Sequence, residues 1–161
     1  MTKNYHIDRI EEFVGTELGV SDWFEVDQGR IDAFGAATYD PDPQHDNPVW
    51  ATENSPYGGT IAYGFQTLSL LSHLTRASGL QPDGVGFALN YGLDRVRFLA
   101  PVPVGSQIRC HSRLIKATRK AEDVWILKTE NTVEIKGGDN PALVAEWLFL
   151  CAAEGVDPAT I

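Results

Sequence analysis

Cysteine is scarce in this sequence, which has only Cys110 and Cys151 among 161 residues. The two residues do not form a C-x-x-C pair, and both lie in runs whose apolar residues alternate as in β-strands. A disulfide framework or a zinc site is therefore not expected. We predict that both thiols are reduced and buried.

Basic residues are also in the minority, since Lys and Arg number 13 against 22 Asp and Glu, for a net charge of −9. A nucleic-acid-binding domain needs a basic face, so nucleic acid is not an expected partner. The densest basic segment is "RLIKATRK", from Arg113 to Lys120. It is predicted to be a solvated hairpin tip, with contact to a phosphate group as the alternative.

Long hydrophobic runs are missing as well. No apolar stretch reaches the roughly 18 residues that a transmembrane helix requires. The N-terminal segment "MTKNYHIDRIEEF" is polar and acidic, unlike a signal peptide. We therefore expect a cytoplasmic protein with no membrane partner. Without an internal repeat or a linker, residues 1–161 are predicted to form a single domain.

The first half of the chain has helical periodicity. Asp27 is a suitable N-cap for the segment "QGRIDAFGAAT", and Asn47 followed by Pro48 predicts the start of a short helix, "PVWATE". Three further segments are predicted to be a short helix, a strand and a loop, in that order: "IDRIEEFV", "VSDWFEV" and "YDPDPQHDNP".

A longer helix is predicted within "SPYGGTIAYGFQTLSLLSHL", beginning near Tyr63. Its apolar residues recur at three- and four-residue steps and form one stripe: Ile61, Phe65, Leu68, Leu71 and Leu74. We expect this helix to be buried on most sides.

From residue 85 onward the periodicity changes to two residues, which is typical of strands. The predicted strands are "VGFALNYG", "LDRVRFLAPV", "SQIRCHSRLIKA", "VWILKTENTVEI" and "ALVAEWLFLCA". Together with one strand before the helices, they predict an α+β domain in which a curved antiparallel sheet wraps around the long helix.

Asp40 and His45 are the first candidates for chemistry. They lie in a loop stiffened by Pro41 and Pro43, and a carboxylate beside an imidazole can serve as a general acid/base pair. Taken alone, an Asp and a His in a loop are more often a turn former and a surface imidazole. A metal site that includes Asp42 and Asp46 is disfavoured, because the loop has no calcium-loop or H-E-x-x-H spacing.

Gly64 is a candidate for binding an oxyanion. If the long helix begins near Tyr63, the Gly64 N–H is one of the first helical amides, which have no partner inside the helix. The alternative is that glycine only allows close packing. Ser72 lies about two turns further along the helix, where it can orient the loop or simply bond to a backbone carbonyl.

These residues occur in segments that resemble the MaoC-like family of (R)-specific enoyl-CoA hydratases. "FGAATYDPDPQHDNP" is similar to the family's D-x(4)-H loop, and "SPYGGTIAYGFQTLSLLSHL" is similar to its glycine-bearing helix. "LNYGLDRVRFLAPVPVGSQIR" resembles a strand pair of its actinobacterial single-domain branch. The similarity extends from about residue 19 to residue 152.

The resemblance implies a hotdog fold and a homodimer that adds water to a trans-2-enoyl-CoA. It implies that Asp40 and His45 are the catalytic pair, that the Gly64 N–H polarises the thioester carbonyl, and that Ser72 supports the loop. No cofactor or metal is expected, because coenzyme A is part of the acyl-CoA substrate. Possible substrate-lining residues are Asn90, Tyr91 and Tyr63, although Asn90 and Tyr91 are equally compatible with ordinary strand packing.

The sequence departs from the family pattern at two positions. Tyr39 replaces the usual glycine before the catalytic Asp, and Tyr63 replaces the usual histidine before the oxyanion glycine. The first change can reshape the mouth of the pocket, and the second retains a ring that can form a hydrogen bond.

Two other functions remain open at this stage. A hotdog thioesterase often carries a carboxylate on its central helix, but residues 59–78 contain no Asp or Glu. A non-catalytic acyl-CoA-binding module would not require both Asp40 and His45.

Overall fold

The computed structural model describes residues 5–77 and 79–160. Six strands are present in this part of the chain: β1 Glu17–Val20, β2 Phe24–Glu25, β3 Val85–Phe98, β4 Gln107–Ala121, β5 Val124–Ile135 and β6 Leu143–Ala153. The α-helices are α1 Gln28–Thr38, α2 Pro43–Asp46, α3 Pro48–Asn54, α4 Gly64–Ser69 and α5 Leu71–Ala77. Short 3-10 helices cover Ile7–Phe13 and Pro158–Thr160. None of the helices in the described ranges is long and apolar enough to cross a membrane.

The strands form one antiparallel sheet in the order β1-β4-β5-β6-β3, and β2 pairs with β4 beside β1. The hairpin between β4 and β5 turns at Glu122 and Asp123, after Ala121 pairs with Val124. Helices α4 and α5 pack against the sheet, and their buried residues Leu71 and Leu74 share a core with Ile108 and Val133. The α+β prediction, with a sheet wrapped around a helix, is confirmed.

Two helix starts follow the predicted capping chemistry. The Asp27 side chain accepts a hydrogen bond from the Arg30 N–H at the start of α1. The Asn47 side chain accepts one from the Trp50 N–H at the start of α3, and Pro48 occupies the first turn of that helix. Both side chains satisfy amides that have no partner inside the helix.

The interpretation of "VSDWFEV" as one strand is wrong, because the segment contains the end of β1 and the separate β2. Ser21 lies in the gap, where its hydroxyl accepts a hydrogen bond from the Cys110 N–H at 2.9 Å. A side chain thus replaces a backbone acceptor, and regular pairing resumes only at Phe24, opposite Ile108.

The predicted number of strands in the second half of the chain is also wrong. The segments predicted as two strands, "VGFALNYG" and "LDRVRFLAPV", form the single strand β3. The register of β3 against β6 shifts between Asn90 and Gly92, so the Tyr-Gly pair marks an irregularity within a strand instead of a turn.

The predicted loop "YDPDPQHDNP" contains a helical turn, α2. Asp42 caps it by accepting a hydrogen bond from the Gln44 N–H, and Pro43 stands in its first turn. This turn moves His45 from a loop onto a helix, where its backbone is hydrogen-bonded to Asp42.

The long helix is present as α4 and α5, joined through Leu70. Leu70 keeps right-handed helical angles (φ −64°, ψ −15°), but His73 N–H donates to the Leu70 carbonyl three residues earlier, which tightens the turn. The prediction of burial on most sides is wrong for Phe65, which is 70% exposed. Its ring contacts Phe98 of β3, with centroids 5.9 Å apart.

Both cysteines are free thiols and both are buried, as predicted. Burial raises the pKa of Cys110 to about 11 and that of Cys151 to about 12. Neither thiol therefore forms much of the reactive thiolate at neutral pH.

Tyr39 ends α1 in the left-handed conformation (φ 56°, ψ 37°), and its side chain is 92% exposed. This conformation costs a non-glycine residue about 1–2 kcal/mol. We expect Tyr39→Gly to raise the free energy of unfolding by about 0.5–1 kcal/mol, part of the relief being offset by the greater freedom of glycine in the unfolded chain. Denaturant unfolding will measure the change. Tyr39→Ala is the control, and equal stability of the two variants would contradict this explanation.

Candidate active site

Asp40 lies directly after Tyr39, in the link between α1 and α2. Its N–H donates to the Gly35 carbonyl of α1 at 3.1 Å, and its carbonyl accepts a hydrogen bond from the Tyr63 hydroxyl at 2.6 Å. Both backbone polar groups of Asp40 are therefore paired. The residue itself is exposed, so these contacts leave its carboxylate accessible.

His45 is half-buried on α2, and its ring orientation is defined by one hydrogen bond. Nδ1 lies 2.7 Å from the Ile61 carbonyl oxygen. A carbonyl oxygen can only accept, so Nδ1 carries the proton. In the neutral ring Nε2 then has the lone pair and can accept a proton from another molecule.

A set of hydrogen bonds ties α2 to its neighbours. The Ile61 N–H donates to the Gln44 carbonyl at 3.2 Å, so the strand-like segment before α4 contacts α2 twice. Gln28 Nε2 donates to the His45 carbonyl at 2.7 Å, and the Thr60 hydroxyl donates to Gln28 Oε1 at 2.5 Å. The His45 backbone is thus fixed from α1 and from residues 60–61.

Tyr63 lies between the two candidate residues. Its ring stacks on His45, with centroids 3.8 Å apart and planes inclined by 31°, while its hydroxyl binds Asp40. The residue is 5% exposed and precedes the first residue of α4. One buried side chain therefore contacts both the Asp40 backbone and the His45 ring.

Carboxylates surround this ring. Burial, followed by the nearby charges of Asp46 and Asp40, raises the pKa of Tyr63. The phenol consequently stays protonated at neutral pH and remains a hydrogen-bond donor. Within residues 5–77 and 79–160, no three His, Cys, Asp or Glu side chains are grouped as metal ligands would be.

Gly64 is the first residue of α4, as the sequence predicts, and it is exposed. Its amide is one of the helical N–H groups that have no acceptor inside the helix. A Cβ atom at this position would lie 3.3 Å from the Phe98 ring. Glycine therefore keeps the approach to this amide open beside Phe98.

Ser72 of α5 and Asn90 of β3 are found together, at a place that neither Asp40 nor His45 lines. Both line a hollow of about 370 Å³ between α5 and the β3–β6 pair, with Arg76, Trp147 and Phe149. In the described chain no hydrogen bond joins Ser72 to the loop, so its supporting role remains a prediction. Tyr91, the next residue on β3, is 58% exposed and does not line the hollow.

Two features of the site are not predicted from the sequence: the hydrogen bond from Gln28 to His45, and the contacts of Tyr63 with both Asp40 and His45. Gln28 appeared only as the first residue of α1, and nothing in its sequence neighbourhood indicates the contact with His45 across 17 residues. For Tyr63, the signal in the sequence is that it stands where the family pattern usually has a histidine.

Comparison with known sequences identifies the relatives of this chain. Residues 9–134 match the model of the MaoC like domain. Nodulation protein N of Rhizobium leguminosarum bv. viciae is 44% identical over 137 residues, which are 85% of either chain. The 3-hydroxyacyl-thioester dehydratase Z of Mycobacterium tuberculosis (strain ATCC 25618 / H37Rv) is 41% identical, with 82% of this chain and 86% of the relative covered.

Comparison with solved structures shows the fold. The R-hydratase PhaJ1 from Pseudomonas aeruginosa, solved in the unliganded form, superposes with a TM-score of 0.70 at 18% identity. The match covers 94% of this chain and 88% of the hydratase. This match, together with the antiparallel sheet that packs around a helix in the present chain, confirms the hotdog fold. The chain therefore belongs to the MaoC-like dehydratase family and is a hydro-lyase.

Proposed function

We propose that this protein catalyses the reversible hydration of a trans-2-enoyl-CoA to the (R)-3-hydroxyacyl-CoA. The observation that supports the proposal is that Tyr63 contacts both Asp40, through its backbone carbonyl, and His45, through its ring. An accessible carboxylate and a histidine with an available Nε2 are held beside the start of α4. The (R) configuration comes from the family resemblance.

In the proposed reaction, Asp40 and His45 hold one water molecule between them. One of the two residues removes a proton from the water molecule as the water oxygen bonds to C3 of the enoyl group. The π electrons move onto the thioester oxygen, and a proton is then delivered to C2. Such acid/base assistance contributes about 10²–10⁴-fold. The thioester is the electron sink, so the step is balanced without a cofactor.

The Gly64 amide is proposed to bind the developing oxyanion. A donor directed at such an oxygen contributes about 3–4 kcal/mol. The exposure of Gly64 and the lack of a side chain there support this role. The acyl chain is proposed to extend toward the apolar hollow lined by Leu68, Leu71, Leu93 and Trp147, beside Ser72 and Asn90.

A homodimer is proposed, formed through the free edge of β3. Among the described residues β3 pairs only with β6, and apolar side chains on or near it are exposed: Leu89, Tyr91, Leu93, Phe98 and Phe65. A long unpaired strand with exposed apolar residues is a favourable surface for pairing with a second copy.

Sedimentation velocity is expected to show a dimer, and Leu93→Asp is expected to shift it to monomer; a monomeric wild type would contradict the proposal.

Crotonyl-CoA provides the test of function. The purified protein is expected to remove the enoyl absorbance without releasing free thiol, and chiral analysis is expected to show the (R)-hydroxy product. Release of coenzyme A without hydration would instead identify a thioesterase. Tight binding of crotonyl-CoA without turnover would identify an acyl-CoA-binding module.

A further inference from the structure

Tyr63 is the only residue in the described site that contacts both members of the proposed catalytic pair through its side chain. Its hydroxyl donates to the Asp40 carbonyl at 2.6 Å, and its ring stacks on His45 at a centroid distance of 3.8 Å. At 5% exposure it offers little surface to a substrate. We infer that Tyr63 is a positioning residue that sets the geometry of Asp40 relative to His45; this inference rests on the proposed function.

The contact with Asp40 acts on the backbone. Asp40 follows a left-handed residue, and a chain leaving a helix in this way needs fixed contacts to adopt one path. The Gly35 carbonyl fixes the Asp40 N–H, and the Tyr63 hydroxyl fixes the Asp40 carbonyl. These two contacts therefore fix the backbone from which the Asp40 side chain extends, and they use neither carboxylate oxygen.

The contact with His45 acts on the ring plane. The hydrogen bond from Nδ1 to the Ile61 carbonyl fixes one atom of the imidazole but leaves rotation about that bond. Stacking against Tyr63 removes this freedom. The two contacts together determine where Nε2 points, which is the property that a proton-transfer group requires.

Gly35 provides space for the tyrosine hydroxyl. A Cβ atom at Gly35 would lie 2.5 Å from Tyr63 Oη and 3.2 Å from Cζ. Gly35 is buried inside α1, where alanine is intrinsically preferred over glycine. The helix thus has a glycine at the point where a side chain would displace the hydroxyl from Asp40.

Tyr63→Phe tests the inference, because it removes the hydroxyl and keeps the stacked ring. We expect kcat for crotonyl-CoA hydration to fall about tenfold while KM changes less than about twofold. Tyr5→Phe is the matched control. Tyr5 is equally buried at 5% exposure, and its hydroxyl has no hydrogen-bond partner in the described structure. We expect this variant to keep the wild-type kcat and KM.

A double-variant cycle separates positioning from a merely structural role. If Tyr63 acts through Asp40, adding Tyr63→Phe to Asp40→Asn is expected to lower kcat by less than about twofold. A full tenfold loss in both backgrounds would overturn the inference, and so would an unchanged kcat in the single variant. A rise in KM alone would also overturn it, since that result indicates substrate contact.

A measurement independent of turnover distinguishes failure of this inference from failure of the proposed function. Loss of the hydroxyl is expected to shift the Asp40 carbonyl ¹³C resonance, with little change at residues remote from the site. An unchanged resonance overturns the inference whether or not the protein is a hydratase. A shifted resonance in a protein that does not hydrate crotonyl-CoA supports the contact and overturns the proposed function.

Discussion

Asp40→Asn is expected to lower kcat for crotonyl-CoA hydration by about 10²–10⁴-fold, because asparagine has the size of aspartate but cannot exchange a proton at neutral pH. The hydrogen bonds that hold residue 40 use its backbone, through Gly35 and Tyr63. The substitution therefore leaves these contacts available. Steady-state kinetics with crotonyl-CoA measures the loss, and unchanged circular dichroism shows that the variant is folded.

Asp42→Asn is the control for this prediction. Asp42 lies two residues further along and caps α2 by accepting a hydrogen bond from the Gln44 N–H. Asparagine is an equally good N-cap, so we expect kcat to stay within about threefold of the wild type. If kcat fell equally in the two variants, the cause would be the loss of a negative charge from this segment. That result would contradict the catalytic role of Asp40.

Gly64→Pro is expected to lower kcat by about 10²–10³-fold, the effect of losing one oxyanion donor. Proline is well accepted at the first position of a helix, where its missing N–H breaks no helical hydrogen bond. Tyr63, the residue before it, has φ −61° and ψ 140°, an extended conformation suited to a residue that precedes proline. The variant thus removes the proposed donor while the helix start is retained.

Gly64→Ala distinguishes the effect of losing the amide N–H from the effect of the added side-chain volume. Alanine places a Cβ atom in the same position, 3.3 Å from the Phe98 ring, but keeps the N–H. We expect the proline variant to be at least about tenfold slower than the alanine variant in kcat. Equal rates would mean that the approach to the helix matters and that the amide itself does not bind the oxyanion.

The parts of the fold set by local chemistry were predictable. Asp27 and the Asn47-Pro48 pair determine where α1 and α3 begin, because each side chain satisfies a nearby amide. The helical turn at α2 carries the same signature in Asp42-Pro43, with an oxygen-bearing cap before proline. The signal was present, but Pro41 and Pro43 are also typical of a loop, which is what the sequence analysis predicts.

The wrong predictions of strands in the sheet have a different cause. The break between β1 and β2 depends on the Ser21 hydroxyl taking the place of a backbone acceptor for Cys110, a residue that is 89 positions away. The continuity of β3 through Gly92 depends on its pairing with β6. Periodicity in one segment contains no information about either partner.

The sequence predicts which residues form the candidate site but not the contacts that hold them in place. The spacing of Asp40 and His45 and the glycine at the start of a helix are local features that can be seen in the sequence. The contact from Tyr63 to Asp40 spans 23 residues and depends on the packing of α1 against the start of α4. Such a contact follows from the tertiary structure and could not be inferred from a motif.

Coupling between Asp40 and His45 tests most directly whether both residues act on one water molecule. The measurement is kcat/KM for crotonyl-CoA in the wild type, Asp40→Asn, His45→Asn and the double variant. His45→Asn keeps a short amide near the Nδ1 position and removes Nε2. We expect kcat/KM of the double variant to be within about threefold of that of the slower single variant, because the effects of groups that act as a unit are not additive. Losses that multiply in the double variant would contradict joint action on one water molecule.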